Sequence, residues 1–317
     1  MRIRLILLVS SLLLVNIFVY AVNISNKDSK HTYHNELSEL ESSFNVHIGV
    51  YAIDTSNNYR IAFNSDRRFP FCSTVKFISV AALLKQSESV PEYLDTMIYY
   101  TKNDVDKSGY APISSKNIDN GMTLAELSQA ALNYSDNTAQ NLIVKNLGGI
   151  HSVNNFAKSI GDNAFSLNRN EPELNTAIPN DIRDTTTPLA MANSMNRLLI
   201  GDVLKSKDKL QLIKWLKNNT TGKNRIQAGL PESWILGDKT GTGNYGTTND
   251  IAIIYPPRCA PIILSIYTNS DIKNAKPQEK VLSDTTKIII RELSKTNNCI
   301  KNDLAQQTKK KDANEFK

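Results

Sequence analysis

Apolar residues alternate with others at Val46, Ile48, Val50 and Ala52. A polar turn, Asp54-Thr-Ser-Asn-Asn58, leads into Tyr59 to Phe63, which predicts a β-hairpin. The period then changes. From Phe71 to Leu216 the recurring units are helical: Ser73 to Lys85, Thr123 to Leu132, Thr138 to Asn146, His151 to Ile160, Pro188 to Ile200 and Lys207 to Lys217. Thr123-Leu-Ala-Glu126 has the spacing of a capping box and starts the second of these. Strand character returns in Trp234 to Thr242, Ile251 to Tyr255 and Ile262 to Thr268, with Pro256-Pro257 turning between the last two. A final amphipathic segment, Glu279 to Leu293, reads as a helix able to cover a sheet.

An early hairpin and three late strands imply one antiparallel five-stranded sheet formed by both chain ends around an inserted all-helical domain. The expected class is α+β, an α/β/α sandwich. Residues 22–65 and 218–300 would form the sheet subdomain and 66–217 the helical one. Residues 301–317, polar and basic, are expected to be a disordered tail. A cleft between two such subdomains is a usual place for a ligand.

The 317 residues are 40% hydrophobic and 21% charged, which argues against disorder and allows one or two ordinary cores. Met1-Arg-Ile-Arg4 and then Leu5 to Tyr20 read as the basic and apolar regions of a signal peptide. Val19-Tyr-Ala21 offers small residues where a signal peptidase looks, so residues 1–21 are expected to be removed and the protein to be periplasmic or secreted. The alternative is an uncleaved anchor, but the apolar run is broken by Ser10, Ser11 and Asn16 and is marginal for spanning ~30 Å of hydrocarbon. Cys72, Cys259 and Cys299 are an odd number, so at least one thiol is unpaired within the chain. Cys72 reads as an inert packed thiol, and pairing of the other two is left open. His31, His34, His47 and His151 make no metal-ligand spacing, and no cofactor is expected. The formal charge of +6 comes without the basic and aromatic interleaving of a nucleic-acid stripe, so no such partner is expected.

Candidate chemistry lies in four short signatures in order. Ser73-Thr-Val-Lys76 opens a run, Val75, Phe77, Ile78, Val80 to Leu84, that is apolar nearly all round. Ser-x-x-Lys also occurs at Ser206 and Ser270, but neither match has this context. At a helix start, Ser73 would have Lys76 on the same face one turn on, within reach of its hydroxyl. Backbone N–H groups and the helix dipole there favour developing negative charge. In Ser135-Asp136-Asn137 an extended loop would turn Ser135 and Asn137 to one side while Asp136 points back. By itself the triplet reads more simply as an interhelical turn.

Arg169 to Asp184 has neither period, with two prolines and three asparagines, and loops of that length inside domains tend to be functional. Within it Glu171 can act as a base on water with Asn175 as partner. Arg169 and Asp184 are the natural ion pair to close its neck. Lys239-Thr240-Gly241 ends a strand, offering a cation and a hydroxyl to a carboxylate, while Gly241 lets a ligand lie against the strand edge. Alone it fits a turn as well.

Together and in this order the signatures resemble those of the class A serine β-lactamases. The resemblance runs from about Ser42 to Leu293 and is most specific over Arg169 to Thr187 and Lys239 to Asp250. It implies that Ser73 attacks a lactam carbonyl, that Lys76 and Ser135 relay protons, and that Glu171 with Asn175 holds the hydrolytic water. It implies too that the backbone N–H groups of Ser73 and Thr242 form an oxyanion hole. Lys239, Thr240 and Thr242 would face the substrate carboxylate, Arg225 matches an arginine with which some members help bind it, Gly241 would let the substrate lie against the strand edge, Asn137 would meet its side-chain amide, and Tyr110 would wall the cleft mouth. The family's cis peptide would fall at Glu171-Pro172. Cys72 matches a cysteine that carbapenem-hydrolysing members pair with one at the position of Gly243, so that disulfide is absent here. The expected substrate is a small β-lactam and the expected state a monomer. A D-Ala-D-Ala carboxypeptidase or transpeptidase, or a non-catalytic β-lactam sensor, shares part of the set; Glu171 and Asn175 argue against both.

Overall fold

The computed structural model describes residues 32–315, so the predicted leader, residues 1–21, lies outside them. Five strands form one antiparallel sheet: β1 (His47–Asp54), β2 (Tyr59–Phe63), β3 (Ile235–Thr242), β4 (Thr248–Tyr255) and β5 (Ile262–Asn269). Their order across the sheet is β2-β1-β5-β4-β3, so both ends of the chain contribute and the late strands close against the early hairpin. Every predicted strand is present, which bears out the α+β class. β3 lies at an edge and carries Lys239 near its end.

Period-two alternation explains why both faces are dry. Ile48, Val50, Ala52, Ile254, Leu264 and Ile266 pack on one side against the helix over residues 32–44 (α1) and against α9 (Glu279–Thr296). Tyr51, Ile53, Ile251, Ile253, Ile263 and Tyr267 pack on the other, in the core shared with the helices that follow. Those helices are α2 (Val75–Ser87), α3 (Lys102–Ser108), α4 (Leu124–Asn133), α5 (Asn137–Asn146), α6 (Ile150–Ser159), α7 (Pro188–Leu199) and α8 (Ser206–Lys217). The predicted helices form within about two residues of their expected starts, a displacement set by capping. Thr123 and Glu126 make the reciprocal capping box at the head of α4, and Thr187 caps α7 with Pro188 just inside.

The tail corrects an expectation. Residues 301–317 are not disordered as a whole, because α10 (Asn298–Glu315) takes up most of them. What holds this helix is tertiary and so invisible to composition. Cys299 is bonded to Cys259 in the turn after β4, Ile300 is buried, and the Trp234 indole donates to Asp303 at 2.7 Å. Gln307 adds bonds to Asp303 and Ser233.

At Gly49 on β1 a Cβ would sit 2.3 Å from the Phe69 ring and 2.8 Å from Pro188, so the sheet meets its second layer too closely for any side chain. Gly49→Ala is therefore expected to lower stability by about 1 to 3 kcal/mol through overpacking. A urea titration followed by circular dichroism measures this, and an unchanged midpoint would contradict it.

Candidate active site

Cys72 takes a left-handed conformation, φ 48°, which is strained for a residue with a side chain and turns the chain into a short 3-10 turn, Cys72–Thr74, running straight into α2. Ser73 sits in that turn at the helix head, as its sequence context predicts. Residues 75–84 of α2 are buried all round, so the helix has no freedom to shift. Thr74 Oγ1 donates to the Phe71 carbonyl at 2.8 Å, Phe71 N–H to the Asp184 carbonyl at 3.0 Å, and the Asn249 amide to the Pro70 carbonyl at 2.8 Å. Gly241 is needed here by the protein itself: a Cβ would come within 2.6 Å of the Phe71 carbonyl.

Lys76 is fully buried. Its ammonium donates to Ser73 Oγ at 2.6 Å and to Asn137 Oδ1 at 2.9 Å, reaches Ser135 Oγ at 3.5 Å, and pairs with Glu171 Oε1 at 2.6 Å. Ser73 Oγ in turn lies 3.4 Å from Glu171 Oε1. A one-turn offset on a rigid helix thus brings amine, hydroxyl and carboxylate together.

Ser135 and Asn137 do face the same place, though not from an extended loop. Ser135 is left-handed, φ 60°, and Asp136 is the N-cap of α5, accepting from Ala139 N–H at 2.9 Å. The buried Asp136 carboxylate also accepts from the N–H groups of Ile113 and Ser114 and from the Ser114 hydroxyl, fixing the segment that carries Tyr110. Asn137 N–H donates to the Tyr110 carbonyl at 2.8 Å, and the Tyr110 ring is more than half exposed. Ser135 Oγ also receives the Lys239 ammonium at 3.1 Å, so it stands between two lysines. Burial, and then the nearby Lys76, hold the Lys239 ammonium well below the usual lysine range.

Glu171 is almost wholly buried and is held at three points. Asn175 Nδ2 donates to its Oε2 at 2.5 Å. Asn141 clasps its backbone, donating to its carbonyl and accepting from its N–H, both at 2.9 Å. The loop neck is closed by the predicted pair, Arg169 Nε to Asp184 Oδ2 at 2.5 Å, and Asp184 also accepts from the N–H groups of Asn168 and Arg169. The Glu171-Pro172 peptide is cis.

On β3, Lys239 and Thr240 are buried while Thr242 is exposed. Arg225 is 5% exposed and makes four hydrogen bonds within the protein. It donates to the carbonyls of Gly241 and Asn249, to Thr242 Oγ1 at 2.7 Å and to Glu279. With Arg225 donating to it, the Thr242 hydroxyl keeps its own hydrogen for a group in the cleft. Arg225 thus orients the Thr242 hydroxyl. At Gly243 a Cβ would lie 2.6 Å from Cys72 Sγ, and burial pushes the unpaired Cys72 thiol up, consistent with an inert, packed residue.

Sequence reasoning missed Asn141, Asn249 and the Asp238 and Asp250 carboxyls. Asn141 had a signal, since it follows Asn137 by one helical turn and so shares its face. The others lie on strands whose alternation says only that they point inward.

Residues 32–293 match the family model of the beta-lactamase enzyme family. The chain is 50% identical to beta-lactamase OXY-2 of Klebsiella oxytoca over 256 residues, 81% of this chain and 88% of that protein. It is 49% identical to beta-lactamase CTX-M-8 of Citrobacter amalonaticus over 254 residues, covering 80% and 87%. Its fold is similar to the crystal structure of the beta-lactamase from Desulfarculus baarsii DSM 2075, with a TM-score of 0.82 at 42% identity over 83% of this chain and 98% of that one. The hydroxyl, amine and carboxylate gathered at the head of α2 are thus the core of a fold shared along nearly its whole length, and the chain belongs to the beta-lactamase enzyme family.

Proposed function

We propose that the protein is a serine β-lactamase that hydrolyses the lactam amide of penicillins and cephalosporins through an acyl-enzyme on Ser73. The observation that carries this reading is the Glu171 carboxylate, placed 3.4 Å from Ser73 Oγ and held by Asn175 and Asn141. Acylation alone needs a nucleophile and a proton relay; hydrolysis needs a base for water as well.

Ser73 Oγ attacks the lactam carbonyl carbon and gives up its proton either to the Glu171 carboxylate, 3.4 Å away, or to Lys76 at 2.6 Å once the Lys76 ammonium has passed a proton to Glu171. The backbone N–H groups of Ser73 and Thr242 receive the oxyanion, where each such donor is worth roughly 3 to 4 kcal/mol of transition-state stabilisation. As the carbon–nitrogen bond breaks, the nitrogen takes a proton passed by Ser135, which lies between Lys76 and Lys239 and is recharged through them. Water beside Glu171 and Asn175 then loses a proton to Glu171, attacks the ester and frees Ser73. Lys239, Thr240 and Thr242 hold the substrate carboxylate, Asn137 and the strand edge at Gly241 hold the side-chain amide, and Tyr110 lines the mouth.

Every side chain this chemistry uses comes from one chain, which supports action as a monomer. Export to the periplasm or medium fits the basic and apolar start of the sequence; among the described residues no helix is long and apolar enough to cross a membrane.

Replacing Glu171 with Gln keeps the shape and the bond to Lys76 but removes the base. Incubated with benzylpenicillin, this variant is expected to accumulate a stable acyl adduct on Ser73, seen by intact mass, and to lose about 10²-fold or more in turnover. An adduct that clears at the wild-type rate would sink the assignment. Thr242→Ala removes the hydroxyl that Arg225 orients, and it is expected to raise KM for benzylpenicillin about tenfold with a smaller change in kcat.

A further inference from the structure

Behind β3 lie two buried acids that the chemistry above does not use. Asp238 on β3 pairs with Ala252 of β4, and Asp250 of β4 pairs with Thr240, so the two are diagonal neighbours on one face of the strand pair and their carboxyl groups lie within hydrogen-bonding reach. Asp250 is fully buried and Asp238 is 6% exposed. Asn219 Nδ2 donates to Asp238 Oδ2 at 2.6 Å, and Ile226 N–H to Asp250 Oδ2 at 3.2 Å. Asp250 Oδ1 is buried and accepts from nothing. With both acids ionised neither can donate to the other and that oxygen stays orphaned, whereas one hydrogen held between the two carboxyl groups lets one acid donate to the other.

We propose that Asp238 and Asp250 share one proton, so that a single negative charge, not two, lies behind the strand end that receives the substrate carboxylate. The inference rests on the assignment of Lys239, Thr240 and Thr242 to that carboxylate. Two like charges this close and this dry cannot both ionise near neutral pH. Burial, and next the charge of Asp238, push Asp250 well above the carboxylate range, and burial pushes Asp238 up too. The charged and titratable groups near the pair are Arg225 with its partner Glu279 and, through the sheet, Lys239 on the same strand and the buried Tyr267 phenol on β5. Neither cation forms an ion pair with either acid, since Lys239 donates to Ser135 and Thr240 and Arg225 to carbonyls, Thr242 and Glu279. Raising the pH removes the shared proton and places a second negative charge behind Lys239 and Thr242, opposing an anionic substrate. Asp238 and Asp250 are then positioning residues: they touch no substrate and act through the field at β3.

Infrared spectra of the substrate-free enzyme at neutral pH test the proton directly. Wild-type protein minus Asp250→Asn is expected to show the carbonyl stretch of a protonated carboxylic acid, and the wild-type band itself should fade as the pH rises, a readout that needs no variant. In kinetics, KM for benzylpenicillin should rise about threefold to tenfold more in wild type than in Asp250→Asn between neutral and alkaline pH, since the amide cannot ionise. Absence of the band overturns the shared proton whatever the substrate does. A band accompanied by KM values that rise equally in both proteins overturns its role in binding. An error in the carboxylate assignment itself would show elsewhere, as a Thr242→Ala variant with unchanged KM.

Discussion

Lys76 and Glu171 are 95 residues apart, both sealed from solvent, and meet at 2.6 Å. Burying two opposite charges carries a desolvation cost that their attraction offsets only when the geometry is good and the remaining hydrogen-bonding positions are filled. Here they are filled by Ser73, Asn137 and Asn175. The surrounding structure supplies the rigidity this needs. Helix α2 is packed on every side, and the loop bearing Glu171 is closed by the Arg169 and Asp184 pair and clasped by Asn141. Loss of either charge would leave the other buried without a partner, a change that typically costs about 3 to 5 kcal/mol. A pair retained at such risk is explained by chemistry more readily than by stability.

Around that pair three segments distant in sequence converge: the head of α2, the start of α5 and the end of β3. Each is aimed by a neighbour that does no chemistry. Asp136 caps α5 and ties down the Tyr110 segment, Asn249 fastens β4 to the nucleophile turn, and Arg225 orients Thr242 from beneath the strand. The resulting site has Ser135 between two ammonium groups and one carboxylate able to face both the serine and a water. The separation of labour between touching and aiming residues follows from geometry, because hydrogen-bonding groups committed to the protein are not available to a ligand.

Much of this was legible in the sequence because the relevant patterns are local. A helix apolar all round, a capping box, an aperiodic segment with a charge at each end and the order of four short signatures each needed only neighbouring residues. The unread parts are relations across space. The polar composition of residues 301–317 reads as a disordered tail, yet α10 is held by a disulfide, a buried Ile300 and the Trp234 bond to Asp303, none of which a local window contains. Ser135-Asp136-Asn137 fits either an extended loop or an interhelical turn in sequence; the structure has the turn, with Asp136 as a helix cap, a role its residue type favours. Gly241, as a strand-edge glycine, and Arg225, through the resemblance, point to a ligand in sequence; in space both also meet the protein's own backbone.

The central claim is that the carboxylate paired with Lys76 turns an acylating serine into a hydrolysing one. The stoichiometry of the wild-type reaction addresses it most directly: excess benzylpenicillin added to the mature chain, with product counted per mole of enzyme. The geometry at Glu171 predicts many turnovers and a free Ser73 at the end. Release of a single equivalent, with Ser73 left stoichiometrically acylated, would contradict it.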